Sequence, residues 1–150
     1  LVAEKYIRMM RTTEPARYAR LAANIPQPGE RAETLARAIN ARLLAQTETL
    51  RARYPYVSGA GRPLRAAEDF AGVTSIETYQ LGELLTYSER TLAALLAHVE
   101  DLEARGASLA EEILKNTVRF YGYESLERAE TAQRVHAANQ PGELSPGCAQ

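Results

Sequence analysis

The sequence predicts an all-α fold: a single compact bundle of five to six helices with one long Gly/Arg-containing loop. First, Ala, Leu, Glu and Arg dominate the 150 residues and favour helix, whereas the strand formers Val and Ile are sparse. Second, several stretches repeat apolar residues at helical spacing. Third, capping-box patterns stand at two expected helix starts. A chain of this length forms one domain; we expect it to span 1–138, with a disordered tail at 139–150.

Three helices are expected before residue 55. Residues 1–11 repeat apolar side chains at helical spacing. A short helix begins near Pro15, which a first helical turn tolerates, and ends before the Pro- and Gly-rich segment 25–29. A long helix is expected over 30–54, where a Tyr-Pro pair ends it. The apolar stripe of this helix consists of Leu35, Ile39, Leu43 and Leu50.

The C-terminal half is expected to hold a long loop and three more helices. The loop covers 55–73, and a Thr-Ser-Ile-Glu capping box then opens one continuous helix over 74–104. A Gly two residues beyond this helix stops it. Two shorter helices follow over 108–121 and 125–137, each preceded by a capping Ser.

The composition excludes several classes of function. The net charge of −1 provides no basic field of the kind that drives nucleic-acid binding. No run of 18 apolar residues is present, so no membrane span is expected; no signal peptide is visible, and we expect a cytoplasmic protein. Cys148 is the single cysteine, and His98 and His136 lack metal-ligand spacing. We therefore expect no metal site and no cofactor.

The expected helix over 74–104 divides into an apolar side rich in Leu and a polar side. The polar side consists of Tyr79, Glu83, Thr86 and Arg90, at i, i+4, i+7 and i+11. It is either a solvated face, with Glu83 contacting Arg90 or Tyr87, or the wall of a pocket. Gly82 costs about 1 kcal/mol in a helix interior, which predicts that another backbone approaches closely there. Glu77 lies near the apolar side, as the capping-box acid or as the partner of an Arg in the loop.

The loop carries a candidate anion cradle at 59–65. Its glycines expose N–H groups, and Arg62 and Arg65 offer bidentate donors. It lacks the Gly-Lys-Ser/Thr sequence of a phosphate-binding P-loop. The alternative is that the two guanidinium groups pair internally with Glu68 and Asp69, and the two interpretations are compatible.

Three functional hypotheses follow from these residues. In the first, the loop and the polar helix face bind an anionic small molecule, a nucleotide or a carboxylate, in a pocket between 58–73 and 74–104. The ligand-binding residues would be Arg62, Arg65, Glu68, Asp69, Thr86 and Arg90. In the second, the same pocket is an active site, with Glu83 or Glu77 as general base and Tyr79 or Tyr87 as proton donor. In the third, the polar face docks a partner protein.

Four segments resemble a bacterial family, the domain of unknown function numbered 4125. They are Glu-Lys-Tyr-Ile-Arg-Met-Met at 4–10, Gly-Arg-Pro-Leu-Arg-x-x-Glu-Asp at 61–69, Thr-Ser-Ile-Glu-Thr-Tyr-x-x-Gly-Glu-Leu-Leu-Thr-Tyr-Ser at 74–88, and Asn-Thr-Val-Arg-Phe-Tyr-Gly-Tyr at 116–123. The resemblance covers about residues 4–130 and implies no particular activity.

The resemblance has two further implications. Family members carry an upstream helical segment with a Gly-Gly-Arg-Ala-Ser-Cys-Gln-like motif, so we expect this sequence to be the C-terminal portion. The family's association with nucleotidyltransferase-like domains implies a helical partner of the toxin–antitoxin type. The ribonuclease motif of that type places four to six residues between Arg and His. Here seven residues separate Arg90 from His98, and seven separate Arg128 from His136, so the ribonuclease function is disfavoured.

Overall fold

All regular structure in the described part of the chain, residues 1–59 and 61–139 of a computed structural model, is helical. The helices are α1 (Val2–Thr13), α2 (Pro15–Leu21), α3 (Glu30–Arg53), α4 (Pro55–Ser58), α5 (Ile76–Leu84), α6 (Glu89–Ala104), α7 (Leu109–Phe120) and α8 (Leu126–Asn139). Six of them have nine residues or more, so the predicted all-α bundle is confirmed. The tail was expected over 139–150, but Asn139 is the last residue of α8, and residues 140–150 lie outside the described part of the chain.

Helix α3 is the centre of the bundle and packs against α4, α5, α6 and α7. Its predicted apolar stripe is buried as expected: Ile39 is fully buried, Leu43 and Leu50 are buried, and Leu35 is packed against the same core. One core cluster joins α3 to α5 and α6, and a second joins the end of α3 to α7 and α8. The stripe therefore organises both clusters.

The predicted capping serines of the last two helices are confirmed, whereas the Glu111 carboxylate, the other half of the expected capping box, pairs with Lys115. The Ser108 hydroxyl accepts the Glu111 N–H at 3.2 Å, and the Ser125 hydroxyl accepts the Arg128 N–H at 3.2 Å. Gly106 adopts a φ of +71° after α6, a conformation that glycine reaches without steric cost. These local signals place the ends of the C-terminal helices.

The expectation of one helix over 74–104 is wrong, because residues 85–88 form a turn between α5 and α6. Ser88 is the N-cap of α6, and its hydroxyl accepts the Thr91 N–H at 3.2 Å. The turn is tightened by the Thr86 and Tyr87 N–H groups, which donate to carbonyls three residues earlier. Thr86 and Arg90 therefore do not extend the face of Tyr79 and Glu83.

Helix α1 contacts α2 and lies against α5. A Cβ atom added at Gly82 would lie 3.0 Å from Met9 Cγ and 3.3 Å from the Lys5 carbonyl oxygen. The predicted close approach of another backbone to Gly82 is thus confirmed, and α1 provides that backbone. Among the described residues, no helix has the length and apolar character needed to cross a bilayer.

Candidate functional site

The loop before α5 satisfies the first N–H groups of that helix. Ser75, rather than Thr74, is the N-cap, and its hydroxyl accepts the Thr78 N–H at 3.2 Å. The Ile76 N–H donates to the Pro63 carbonyl at 2.8 Å, and the Glu77 N–H donates to the loop carbonyl that follows. The expected Thr74–Glu77 capping box is therefore wrong, because loop carbonyls take the donors that it would have served.

Glu77 connects the loop to α5 through a hydrogen bond. Its carboxylate accepts the Ala66 backbone N–H at 2.9 Å, so neither expected role, capping-box acid or partner of a loop arginine, is correct. The bond holds the 3-10 turn Ala66–Glu68 against the first turn of α5. The carboxylate proposed as a general base is thus engaged by the protein's own backbone.

The two loop arginines diverge. The Arg65 guanidinium reaches α3, where Nη2 donates to Glu48 at 2.5 Å, while its backbone N–H donates to Glu68 at 3.1 Å. Arg62 Nη1 donates to the Thr74 carbonyl at 3.1 Å. The expected pairing of both guanidiniums with Glu68 and Asp69 is wrong. The Arg65 guanidinium binds Glu48 on α3 instead, and the Arg62 guanidinium binds the Thr74 carbonyl.

Asp69 joins the loop, α1 and α5 in one hydrogen-bond network. Its carboxylate accepts the Ser75 N–H at 2.6 Å, the Thr12 hydroxyl at 2.7 Å and the Thr78 hydroxyl. Burial raises the pKa of Asp69, but the hydrogen bonds from Thr78, Thr12 and Ser75 outweigh it, so the pKa falls below its ordinary value. This expected ligand-binding residue uses three of its roughly four acceptor sites within the protein.

Lys5, which the sequence did not indicate, brings α1 onto the polar face of α5. Its Nζ lies 2.5 Å from Glu83 Oε2 and 3.5 Å from the centroid of the Tyr79 ring. The Tyr87 hydroxyl donates to Glu83 Oε1 at 2.9 Å, and the Arg62 guanidinium lies 5.0 Å from the same Tyr79 ring. Four predicted site residues therefore do meet, around a lysine from another helix.

This cluster lowers the pKa of Glu83. The hydrogen bond from Lys5 contributes most and the hydrogen bond from Tyr87 follows, since both favour the carboxylate. Burial and the bond to Glu83 raise the pKa of the Tyr87 hydroxyl. A general base working near neutral pH needs a raised carboxylate pKa, so the direction at Glu83 disfavours that role.

Two remaining site predictions lie apart from the cluster. The Thr86 hydroxyl donates to the Glu83 carbonyl at 2.7 Å and thereby tightens the turn after α5. Arg90 is exposed in the first turn of α6. Within the described ranges, no group of three or more His, Cys, Asp and Glu side chains is arranged to hold a metal ion.

A cleft that sequence reasoning missed lies between α1, the α2–α3 connection, α3 and α5. It has a volume of about 150 Å³. Its walls include Arg8, Arg11, Thr12, Tyr18, Gln27, Glu33, Thr78 and Gly82. The spacing of the two arginines on α1 was visible in the sequence, but the walls that face them come from distant segments.

The arginine side chains of this cleft lower the pKa of one carboxyl group, that of Glu33. Arg8 is buried, and its Nη2 donates to the Pro26 carbonyl at 2.6 Å and to Glu4 at 2.7 Å. The pKa of Glu33 is lowered first by its hydrogen bond from Arg37, and the charges of Arg11 and Arg8 add to the effect. The two α1 guanidiniums therefore lie close enough to sense the same negative charge.

Comparison with known proteins identifies the family. The family model described as protein of unknown function (DUF4125) matches residues 1–131. The chain therefore belongs to this family, as the resemblance predicted. No curated protein and no solved structure matches the chain.

Proposed function

We propose that this DUF4125 domain binds a small anion, a carboxylate or phosphate group, in the cleft lined by Arg8 and Arg11. The observation that carries the proposal is the position of Arg11. It lines a concave wall, is exposed, and has no ion pair with the described residues. A guanidinium free of an internal partner can donate two parallel hydrogen bonds to a planar or tetrahedral anion.

The charge around the cleft supports an anion rather than a cation. Among the charged side chains that line the cleft, Arg8 and Arg11 are positive and Glu33 is negative. The excess of one positive charge is concentrated at Arg11, since Arg8 is bonded to Glu4 and Arg37 to Glu33. The cleft volume of about 150 Å³ suits one anionic group, with the rest of the ligand outside.

The proposal retains the ligand class that the sequence suggested and moves its site. Arg62 and Arg65 extend toward different helices, so a shared ligand between them gains no support. The lowered pKa of Glu83 gives no support to an enzyme using it as general base. A cytoplasmic location, where such anions are abundant, belongs to the proposal.

The test compares arginine variants by thermal shift and calorimetry, with inorganic phosphate, acetate and citrate as probes. A ligand that binds the folded state raises the melting temperature. We expect a shift with at least one anion, lost in Arg11→Ala. The shift should persist in Arg105→Ala, which removes an exposed arginine paired with Asp101 on α6.

Arg62→Ala distinguishes the two proposed positions of the site. If the shift is lost in Arg62→Ala and kept in Arg11→Ala, the loop binds the anion and the α1 cleft does not. If no anion shifts the melting temperature of the unaltered chain, anion binding is wrong. The protein-interaction hypothesis, with a nucleotidyltransferase-like partner, then becomes the one to test.

A further inference from the structure

Two segments supply opposite hydrogen-bonding groups to the wall of the α1 cleft. The last turn of α1 supplies Arg11, whose guanidinium can only donate. The connection before α3 supplies Gln27, and the start of α3 supplies Glu33. The cleft therefore combines a cationic donor with two side chains that contain acceptor oxygens.

Glu33 has one carboxylate oxygen that is not used inside the protein. Both hydrogen bonds from Arg37, at 2.6 and 3.1 Å, go to Oε1, and Oε2 accepts none from the described residues. The side chain of Glu33 is 37% exposed, so a ligand can reach it. The bond from Arg37 is the main cause that holds the pKa of Glu33 below its ordinary value, so the group is ionised at neutral pH.

Gln27 adds a second acceptor, and its amide has a defined orientation. The Nε2 atom donates to the Ala22 carbonyl at 2.9 Å and to the Ile25 carbonyl at 3.3 Å. Because a carbonyl oxygen only accepts, the amide nitrogen must face these two groups, and Oε1 is directed elsewhere. Oε1 accepts no hydrogen bond from the described residues, and Gln27 is exposed.

Arg11 and Glu33 line the same cleft without forming an ion pair with each other. Glu33 pairs with Arg37, and Arg11 pairs with none of the described acids. After the leading effect of Arg37, the charge of Arg11 also lowers the pKa of Glu33, so the two charges interact across the space between them. A molecule with a negative and a positive group complements both.

We propose that the anion bound in this cleft is the carboxylate of an α-amino acid, whose ammonium group donates to Glu33 and Gln27. This assignment rests on the proposed function, because Arg11 binds the carboxylate in both. A carboxylate suits the planar guanidinium, and an ammonium group brings three N–H donors for the two acceptors. Since the ammonium is bonded to the carbon next to the carboxylate, both groups can contact a cleft of about 150 Å³ while the side chain extends out of it.

The test uses L-alanine and propionate as probes, followed by NMR titration of the full chain at neutral pH. The two molecules share a carboxylate and a three-carbon skeleton, and only L-alanine carries the ammonium group. We expect L-alanine to bind about tenfold more tightly, because only its ammonium can use the acceptors of Glu33 and Gln27.

Two variants locate this preference. Glu33→Gln keeps the size of the side chain and removes its charge, so the preference for L-alanine should fall to about twofold or less while propionate still binds. Glu30→Gln makes the same change three residues earlier on α3, at an exposed position outside the cleft wall, and should leave the preference unchanged. A cooperative melting transition verifies that each variant is folded.

The results separate this assignment from the anion site itself. Equal affinity for the two probes, or a preference that survives Glu33→Gln, would overturn the amino-acid assignment. Binding of phosphate or propionate that is lost in Arg11→Ala would then still support the anion site. If neither probe binds and phosphate, acetate and citrate also fail, both the assignment and the anion site are wrong.

Discussion

The two sides of α5 are stabilised in opposite ways. Toward α1, a polar network and an ion pair hold the helices together, and Gly82 lets the backbones approach closely. Toward α7, the packing leaves an uncharged cavity of about 260 Å³, and the Gln80 Oε1 atom is buried with no donor among the described residues. The comparison indicates that α1 is positioned by specific polar contacts, whereas the packing between α5 and α7 leaves unfilled space.

The largest effect is expected from Gly82→Val, which places atoms where Met9 and the Lys5 carbonyl already lie. Displacing α1 should reduce the free energy of unfolding by about 3 kcal/mol, measured by urea denaturation. In an open helix interior, Gly→Ala instead stabilises by up to about 1 kcal/mol. A Gly82→Ala variant that is stabilised by this full amount would show that α1 can move away. It would then contradict a tight contact between α1 and α5.

Asp69→Asn should destabilise the protein by about 2 kcal/mol at pH 7, because one carboxylate accepts hydrogen bonds from Ser75, Thr12 and Thr78. The pKa of Asp69 is lowered in the folded state. Its contribution is therefore present above the unfolded pKa of about 3.9 and is lost as the pH falls through the folded pKa.

The pH dependence of this variant is checked by urea denaturation at pH 7 and pH 3. The stability difference between Asp69→Asn and the unaltered protein should shrink at the lower pH. The control is Asp101→Asn, since Asp101 is exposed and, among the described residues, its carboxylate is bonded to the nearby C-cap residue Arg105 alone. A similar loss of stability in both variants would mean that the hydrogen bonds to Asp69 contribute no more than the exposed ion pair of Asp101.

A matched pair of polar-to-apolar changes should have opposite signs on the two sides of α5. Thr78→Val removes the hydroxyl that donates to Asp69 and should destabilise by about 1 kcal/mol. Gln80→Leu removes the unpaired acceptor and should stabilise by about 1 kcal/mol, because no hydrogen bond is lost. Thermal and urea unfolding measure the change in the free energy of unfolding for each variant. Changes of the same sign in both variants would contradict the contrast between the two sides of α5.

The smallest effect is expected from Lys5→Met. The Glu83 side chain is 42% exposed, so water screens much of the attraction between the two charges, and the loss should remain below about 1 kcal/mol. The variant should raise the Glu83 pKa toward its ordinary value, which carboxylate NMR titration can follow. A Glu83 pKa that does not change would show that Lys5 is not its main partner in solution.

Several features of the fold could be predicted because they depend on neighbouring residues. The stripe from Leu35 to Leu50 predicted the buried face of α3, and Ser108 and Ser125 predicted two helix starts. The break at residues 85–88 could not be predicted in this way. The apolar pattern is compatible with one helix or two, and Ser88 becomes a cap only when α5 and α6 separate.

The sequence by itself determined the helical class and most helix ends, since propensity and capping act within about one helical turn. It also indicated a close approach at Gly82, but the structure alone shows that α1 makes it. Only the tertiary structure decided which charged groups meet. Lys5 and Glu83 are 78 residues apart, and Thr12 and Asp69 are 57 apart. Their partners depend on how α1 packs against α5. Arg62 and Arg65 diverge because Arg62 meets Thr74 and Tyr79, whereas Arg65 meets Glu48 on α3. Long-range electrostatic contacts follow from the packing of the helices, and spacing along the chain does not encode them.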